Sequence, residues 1–352
     1  MTPPAVRLLS VATATPDHLI DQDQAAAITA AAFGGKVFRT EDILSLFANT
    51  GIRTRKAVRP LEWFTTPRPW EERNAIYLQE AEALWLTVAR DALDKAGVDA
   101  AQVGAVVTVS TTGVATPSLE ARAASTLGLS PTALRTPVFG LGCAGGVSGL
   151  SLAARLAQAR PDQAVLLVVV ELCTLSVRPD EGSKTNVVAT ALFGDGAAAC
   201  VLKAGQGPGR PIGAVGEHTW PQTLEIMGWR VDPAGLGVVL DANLPKFVER
   251  RFAEAADSFH AGGGPARAEV TRFVCHPGGA KVLPALEVAL GLGVGALDIE
   301  RQVLCEVGNM SAPTVFFVLE KVLASDPGGR LVMAALGPGF TASFVTLEAP
   351  DA

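Results

Sequence analysis

Histidine, tyrosine and charge are all scarce in this 352-residue chain: it has four histidines and one tyrosine, and Asp, Glu, Lys and Arg make up only 18% of it. The five cysteines (Cys143, Cys173, Cys200, Cys275 and Cys305) contain no CxxC pair. Few histidines and no paired thiols leave no ligand set for a zinc site. An odd cysteine count in a large apolar chain is not a disulfide framework, so a reducing cytoplasm is expected. Membrane-length runs are missing too. The longest strongly apolar stretch, residues 164–170 (AVLLVVV), is far short of the roughly 20 residues a membrane helix needs. Near the N-terminus, Arg7 and the apolar residues 8–11 fall short of the roughly 7–15-residue core of a signal peptide, and read as a first strand. Basic residues are in deficit, 29 against 35 acidic for a net charge of −6, which excludes the broad basic face that nucleic acid requires. No repeat or low-complexity tract runs along the chain.

What is present is apolar sequence, 49% of the chain, in an alternation of helical periodicity and strand-like runs. That alternation is the pattern of α/β packing. Residues 80–97 read as an amphipathic helix stopped by Gly97, residues 105–110 as a strand, 117–127 as a helix and 135–139 as a short strand. Residues 145–159 read as a buried helix of small residues. The run 164–171 has no polar face and reads as a central strand. Residues 205–211 (GQGPGRP) are the best linker, and divide the chain into halves at 1–204 and 212–352. Beyond it, helices are expected over 244–259, 281–290 and 312–325, and strands ending at 275 and over 330–336 and 341–348.

The two halves share spacings. Thr111, at a strand end, precedes Cys143 by 32 residues, and Cys143 precedes the strand start Ala164 by 21. His276, at a strand end, precedes Asn309 by 33 residues, and Asn309 precedes the strand start Arg330 by 21. Either two ordinary α/β segments coincide by chance, or the unit is duplicated. In the second case a pseudo-two-fold axis brings Cys143, His276 and Asn309 together.

The residue chemistry suits such a meeting. Cys143 sits in GLGCAGG, where glycines permit a sharp strand-to-helix turn and the N-terminus of the next helix favours a thiolate. The alternative is a buried, inert cysteine, the reading preferred for the other four. His276 in CHPGG occupies a rigid turn at a strand end, as a catalytic group or as a histidine bonded to backbone. Asn309 in GNMSAPTV either caps a helix or donates its amide to an oxyanion. The sequence FGDG at 193–196 reads as a structural turn. Arg53, Arg55, Lys56 and Arg59 form a basic cluster, either a solvated face or a seat for the phosphates of an anionic substrate.

These motifs together, GLGCAGG, ALFGDGAAA over 191–199, CHPGG, GNMSAPTV over 308–315 and GPG at 337–339, resemble in order and spacing the type III polyketide synthases, the chalcone-synthase-like branch of the thiolase superfamily. The resemblance runs from about residue 5 to the C-terminus. It implies an α/β fold with a duplicated, five-layered αβαβα architecture and a homodimer. It also implies that Cys143 attacks an acyl-CoA starter and holds the acyl group, paired with His276 as an ion pair. His276 and Asn309 would then stabilise the enolate formed as malonyl-CoA loses CO₂, with no metal or redox cofactor. By the same resemblance Phe193 is an aromatic gate, Thr111, Thr112, Ser176 and Ser311 line the cavity, and Thr116 reaches across the dimer. Arg53 matches a CoA-binding base, with Arg55 beside it as helper.

Departures from the plant pattern bear on the substrate. Ala144 stands where plant enzymes have Phe, Leu336 replaces the Phe of GFGPG, and the second gate Phe has only Met227 or Trp229 nearby. The resemblance then favours fatty acyl starters of medium or long chain, taken to alkylpyrones or alkylresorcinols. Two alternatives stand beside it: a single condensation of the ketoacyl-carrier-protein synthase III kind, whose members usually carry HQAN and NTS at the corresponding sites, and a non-catalytic acyl-CoA-binding partner protein.

Overall fold

The computed structural model describes residues 4–35, 38–325 and 327–349. Its first half runs β1 (Val6–Ala14), β2 (His18–Asp21), α1 (Gln22–Phe33), α2 (Thr40–Ala48), β3 (Thr54–Ala57), α3 (Trp70–Ala96), β4 (Val103–Val109), α4 (Leu119–Leu127), β5 (Leu134–Val138), α5 (Gly145–Ala159), β6 (Ala164–Leu172), α6 (Lys184–Leu192) and β7 (Asp195–Ala204). The second half runs β8 (Arg210–Thr219), β9 (Met227–Asp232), β10 (Gly235–Leu240), α7 (Leu244–Ala261), β11 (Val270–Cys275), α8 (Val282–Leu290), α9 (Asp298–Val307), α10 (Thr314–Ala324), β12 (Arg330–Gly337) and β13 (Thr341–Leu347). Every residue of β4 and β6 is buried, as strands without a polar face must be when helices cover both sides. α3 stops where expected, because Gly97 takes a left-handed conformation and its N–H bonds back to Asp94 and Leu93.

Nine strands form one sheet in the order β11-β12-β13-β8-β1-β7-β6-β4-β5. In the first half β4 runs parallel to β6, β6 antiparallel to β7, and β7 antiparallel to β1. The second half repeats this: β11 parallel to β12, β12 antiparallel to β13, and β13 antiparallel to β8. β1 and β8 join antiparallel at the midline through Val6–Leu8. The shared spacings are therefore a duplication of topology and not a coincidence.

The apolar faces sort into layers. α3 and α4 cover one face of the β4–β6–β7 region, and α7 and α8 cover the matching face of β11–β12–β13. α5 and α10 lie between the two half-sheets in one core with Val107, Val169, Leu202, Met333 and Val345. This gives helix, sheet, helix, sheet, helix: five layers.

The structure moves boundaries and adds elements: α3, expected from residue 80, begins ten residues earlier at Trp70. Arg210 and Pro211, expected in the linker, open β8, and Pro211 pairs with Arg7 of β1. The β9–β10 hairpin and α9 had no clear sequence signal. α5 fits between two half-sheets because its first turn is glycine. A Cβ on Gly146 would stand 2.4 Å from the Ala312 carbonyl oxygen. Gly146→Ala therefore overpacks the shared layer. It should cost about 1–3 kcal/mol and lower Tm by roughly 1–4 °C in thermal unfolding. Gly293→Ala, which meets nothing within 4 Å, should stay within about 0.5 kcal/mol of the parent.

Candidate active site

The two halves contribute equivalent positions. Thr111 follows β4 and His276 follows β11, while Cys143 precedes α5 and Asn309 and Ser311 precede α10. All five line one cavity of about 680 Å³. Cys143 lies in a 3₁₀ turn, Gly142–Ala144, that feeds directly into α5, so its sulfur stands at the positive end of a 15-residue helix. The turn needs its glycine: Gly142 has φ of 48° and a Cβ there would meet Pro338 at 2.6 Å.

The Cys143 thiol donates to Ser311 Oγ at 3.4 Å. Neither ring nitrogen of buried His276 has a hydrogen-bond partner among the described residues. The ion-paired contact expected between Cys143 and His276 is thus not a hydrogen bond in this structure. Burial, opposed by the bond to Ser311, pushes the thiol up to about 11, and burial pushes the imidazolium down to about 3. Each group taken alone is neutral at pH 7.

Asn309 does not cap α10, whose N-cap is Pro313. Its side chain is pinned at both ends. Oδ1 accepts from the Ser311 N–H at 2.7 Å, and Nδ2 donates to the Gly278 carbonyl at 3.1 Å. Nδ2 keeps a second N–H. Ser311 itself has φ of 60°, an uncommon conformation for a residue other than glycine, held by that bond from its N–H. The constellation therefore offers a nucleophile at a helix N-terminus, an unpartnered imidazole and a fixed amide donor around one space. That set can form and break an acyl thioester and stabilise a developing oxyanion.

The remaining expected residues divide. Phe193, Met227, Trp229 and Leu336 line the same cavity, as Thr111 and Ser311 do. Thr112 does not: its buried hydroxyl accepts from the Leu172 N–H at 2.8 Å and ties β4 to β6. Ser176 does not either, because its hydroxyl turns away to the Cys173 carbonyl. Thr116 lies on an exposed loop. Arg53 is exposed, and its charge helps to hold the Glu306 carboxyl below its usual range. Arg55 is the clearest correction. It is buried at 3% exposure, so its guanidinium faces inward and cannot meet a phosphate in solvent. Of its neighbours, Lys56 reaches the Asp17 carbonyl and Arg59 pairs with Glu80.

Three residues were missed. Cys173, read as core, lies on the cavity wall. Glu171, at the end of β6 and fully buried, accepts from the Thr111 N–H and from its hydroxyl at 2.7 Å, and burial lifts its carboxyl to about 7. An acidic residue inside an otherwise apolar strand was the available signal. Asp195 is not an ordinary turn residue. It opens β7 fully buried and accepts from the N–H groups of Val58 and Thr174 and from the Thr174 hydroxyl. Burial lifts it to about 6, against these bonds and the charge of Arg55.

Among the described residues, no helix is long and apolar enough to cross a membrane. The pattern of chalcone and stilbene synthases, N-terminal domain, matches residues 3–208, and that of their C-terminal domain matches residues 214–348. A 1,3,6,8-tetrahydroxynaphthalene synthase of Streptomyces peucetius is 41% identical over 311 residues, covering 86% of this chain and 82% of that one. An α-pyrone-synthesis polyketide synthase-like protein of Mycobacterium tuberculosis is 29% identical, covering 94% and 88%. The crystal structure of the tetrahydroxynaphthalene synthase of Streptomyces coelicolor superposes with a TM-score of 0.93 at 28% identity, over 98% of this chain and 100% of that one. The duplicated fold, the Cys-His-Asn cavity and these matches over both halves make the chain a member of the chalcone and stilbene synthase family, the type III polyketide synthases, which are acyltransferases acting on CoA thioesters.

Proposed function

We propose that this chain condenses malonyl-CoA repeatedly onto a medium- or long-chain fatty acyl starter held on Cys143, and releases alkylpyrones or alkylresorcinols. The observation that carries this reading is the wall of the cavity. Val187, Leu192, Met227, Val238, Leu240 and Leu244 are among its lining residues, and its cations, Lys184 and Lys281, are few. An alkyl chain gains by leaving water there, at about 0.8 kcal/mol per buried methylene, whereas a charged starter would lose its hydration.

In the cycle, His276 takes the Cys143 proton, the thiolate attacks the starter thioester, and CoA leaves as its thiol with that proton. Malonyl-CoA then loses CO₂, and the bond's electron pair becomes the enolate of the thioester. The second N–H of Asn309 and the unbonded His276 ring are available to that oxygen. The enolate carbon attacks the acyl-cysteine carbonyl and the Cys143 thiolate departs. Every step is redox-neutral, so CoA thioesters are the only small molecules the cycle requires, and five free thiols suit a cytoplasmic setting.

The 41% identity to a tetrahydroxynaphthalene synthase favours a second reading, in which malonyl-CoA alone is used and the product is a fused hydroxylated ring system. Intact-protein mass spectrometry with short-, medium- and long-chain acyl-CoAs plus malonyl-CoA separates the two. A fatty acyl adduct on the protein, lost in Cys143→Ala, with alkylpyrone or alkylresorcinol masses in solution, is expected. An aromatic product from malonyl-CoA alone would favour the second reading, and no adduct or product from any starter would overturn both.

The role of His276 has a pH signature. Burial, opposed by the bond to Ser311, raises the thiol to about 11, so without a proton acceptor the thiolate is a small minority at pH 7. In His276→Ala, iodoacetamide alkylation of Cys143 should fall at least about tenfold at pH 7 and climb about tenfold per pH unit above it. An unchanged profile would remove His276 from proton transfer.

The same reading takes the chain as a homodimer. Val114 in the Thr116 loop and Phe139 beside the nucleophile turn are exposed large apolar residues, of the kind a second copy covers. Sedimentation should give twice the 36.4 kDa chain mass. A monomer at micromolar concentration would refute this.

A further inference from the structure

Arg55 carries a charge into the protein without lining the cavity that holds Cys143, and its surroundings say why. Its Nη1 donates to the Phe193 carbonyl at 2.6 Å and its Nε to Gln22 Oε1 at 3.0 Å. Gln22 Nε2 donates in turn to the Ala191 carbonyl at 2.8 Å. The Leu192 carbonyl between them accepts from the Asn309 N–H at 2.9 Å, and the Asn309 carbonyl accepts from the Gly194 N–H at 3.0 Å. Three carbonyls at the end of α6, which no helical turn can satisfy, are thus divided among three elements. One of those three contributes Asn309 itself.

The crossing is also set by packing. A Cβ on Gly194 would stand 2.7 Å from the Val307 carbonyl oxygen, and one on Gly308 would stand 2.7 Å from Arg55 Cγ and 3.0 Å from the Leu192 carbonyl oxygen. The stem of Arg55 fills the space beneath Gly308, and its head holds Phe193. One side chain therefore touches both strands of the crossing that carries the aromatic gate and the amide donor.

We propose that Arg55 is a positioning residue for the condensation. By fixing segment 192–195 against segment 307–309, it sets the Asn309 amide and the Phe193 ring relative to Cys143. This rests on the reading above in which Asn309 serves the malonyl thioester. It replaces the phosphate-binding role expected for Arg55 from the sequence.

The test compares Arg55→Met, Arg55→Lys and Gln22→Leu with the parent enzyme. Thermal unfolding, Cys143 alkylation at pH 8, CO₂ release from malonyl-CoA, and kcat and KM for malonyl-CoA are followed together. A misplacement of about 1 Å costs up to about 100-fold, so Arg55→Met should lose at least about tenfold in kcat and in CO₂ release. KM and the alkylation rate should stay within about twofold, because Cys143 is held by the turn ahead of α5 and its thiol bonds to Ser311, outside segments 192–195 and 307–309. Arg55→Lys, which keeps the charge and one donor, should recover part of the loss. Gln22→Leu should show a milder loss of the same kind, and it decides the matter if Arg55→Met does not fold.

Three results would overturn the proposal: a rise in KM at constant kcat, which is the mark of a phosphate ligand; alkylation falling in step with kcat, which is the mark of general disruption; or no change in either variant. If the parent enzyme itself releases no CO₂ from malonyl-CoA, the proposed function fails first and this inference falls with it. Release by the parent and the variants alike sinks the inference alone.

Discussion

The catalytic end of this protein depends on two main-chain segments that cross in contact, residues 192–195 and 307–309. Neither Gly194 nor Gly308 has room for a Cβ. Reciprocal hydrogen bonds join the Leu192 carbonyl to the Asn309 N–H and the Gly194 N–H to the Asn309 carbonyl. A buried main-chain group left unpaired costs about 1–3 kcal/mol. The crossing therefore tolerates little drift, and the side chains on it inherit that rigidity. Asp195, one residue along, is held by Val58 and Thr174, so segment 192–195 is fastened from beneath as well as from the side.

The second constraint is the shared central layer. α5 and α10 each have to pack against both half-sheets and against each other, and, Phe316 apart, the residues doing so are small or branched: Val147, Leu150, Ala153 and Ala157 on one helix, Val315, Val318, Leu319 and Val322 on the other. The N-terminal ends of these helices lie beside the cavity, with Cys143 ahead of α5 and Asn309 and Ser311 ahead of α10. A layer that packs at crystal-like density thus fixes the distance between Cys143 and Asn309. The same packing demands a bare backbone where α5 begins: glycine is a poor helix former, yet Gly145 and Gly146 open the helix, and a Cβ on Gly146 would meet the Ala312 carbonyl oxygen.

How much of this was legible depended on whether a side chain's role is local. α5 and β6 announce themselves because small residues at helical spacing and an unbroken apolar run are properties of a single segment. Cys143, His276 and Asn309 could be brought together because the duplication leaves its mark in spacing. Arg55 could not be placed that way. Arg53 and Arg55 look alike in sequence, yet β3 begins at Thr54, so only Arg55 falls on the strand's inward face. Asp195 gives no sign of its burial, since its donors come from residues 58 and 174. Cys173 was misread because the wall of an apolar cavity has the composition of a core. Thr112 and Ser176 were misread because the direction of a hydroxyl depends on which distant backbone group is nearest.

The position of β1 has a consequence for how the chain comes to be folded. It precedes the other strands described in this chain, yet its neighbours are β7 and β8, with Val6 opposite Ala204 on one side and Ile212 on the other. Until some two hundred further residues have left the ribosome, β1 has no partner on either edge. The first half, released alone, would expose β1 along the edge that β8 covers, an invitation to pair with another chain. Contacts this far apart in sequence are slow to form, so the pairings of β1 with β7 and β8 carry the largest loop-closure cost in the sheet.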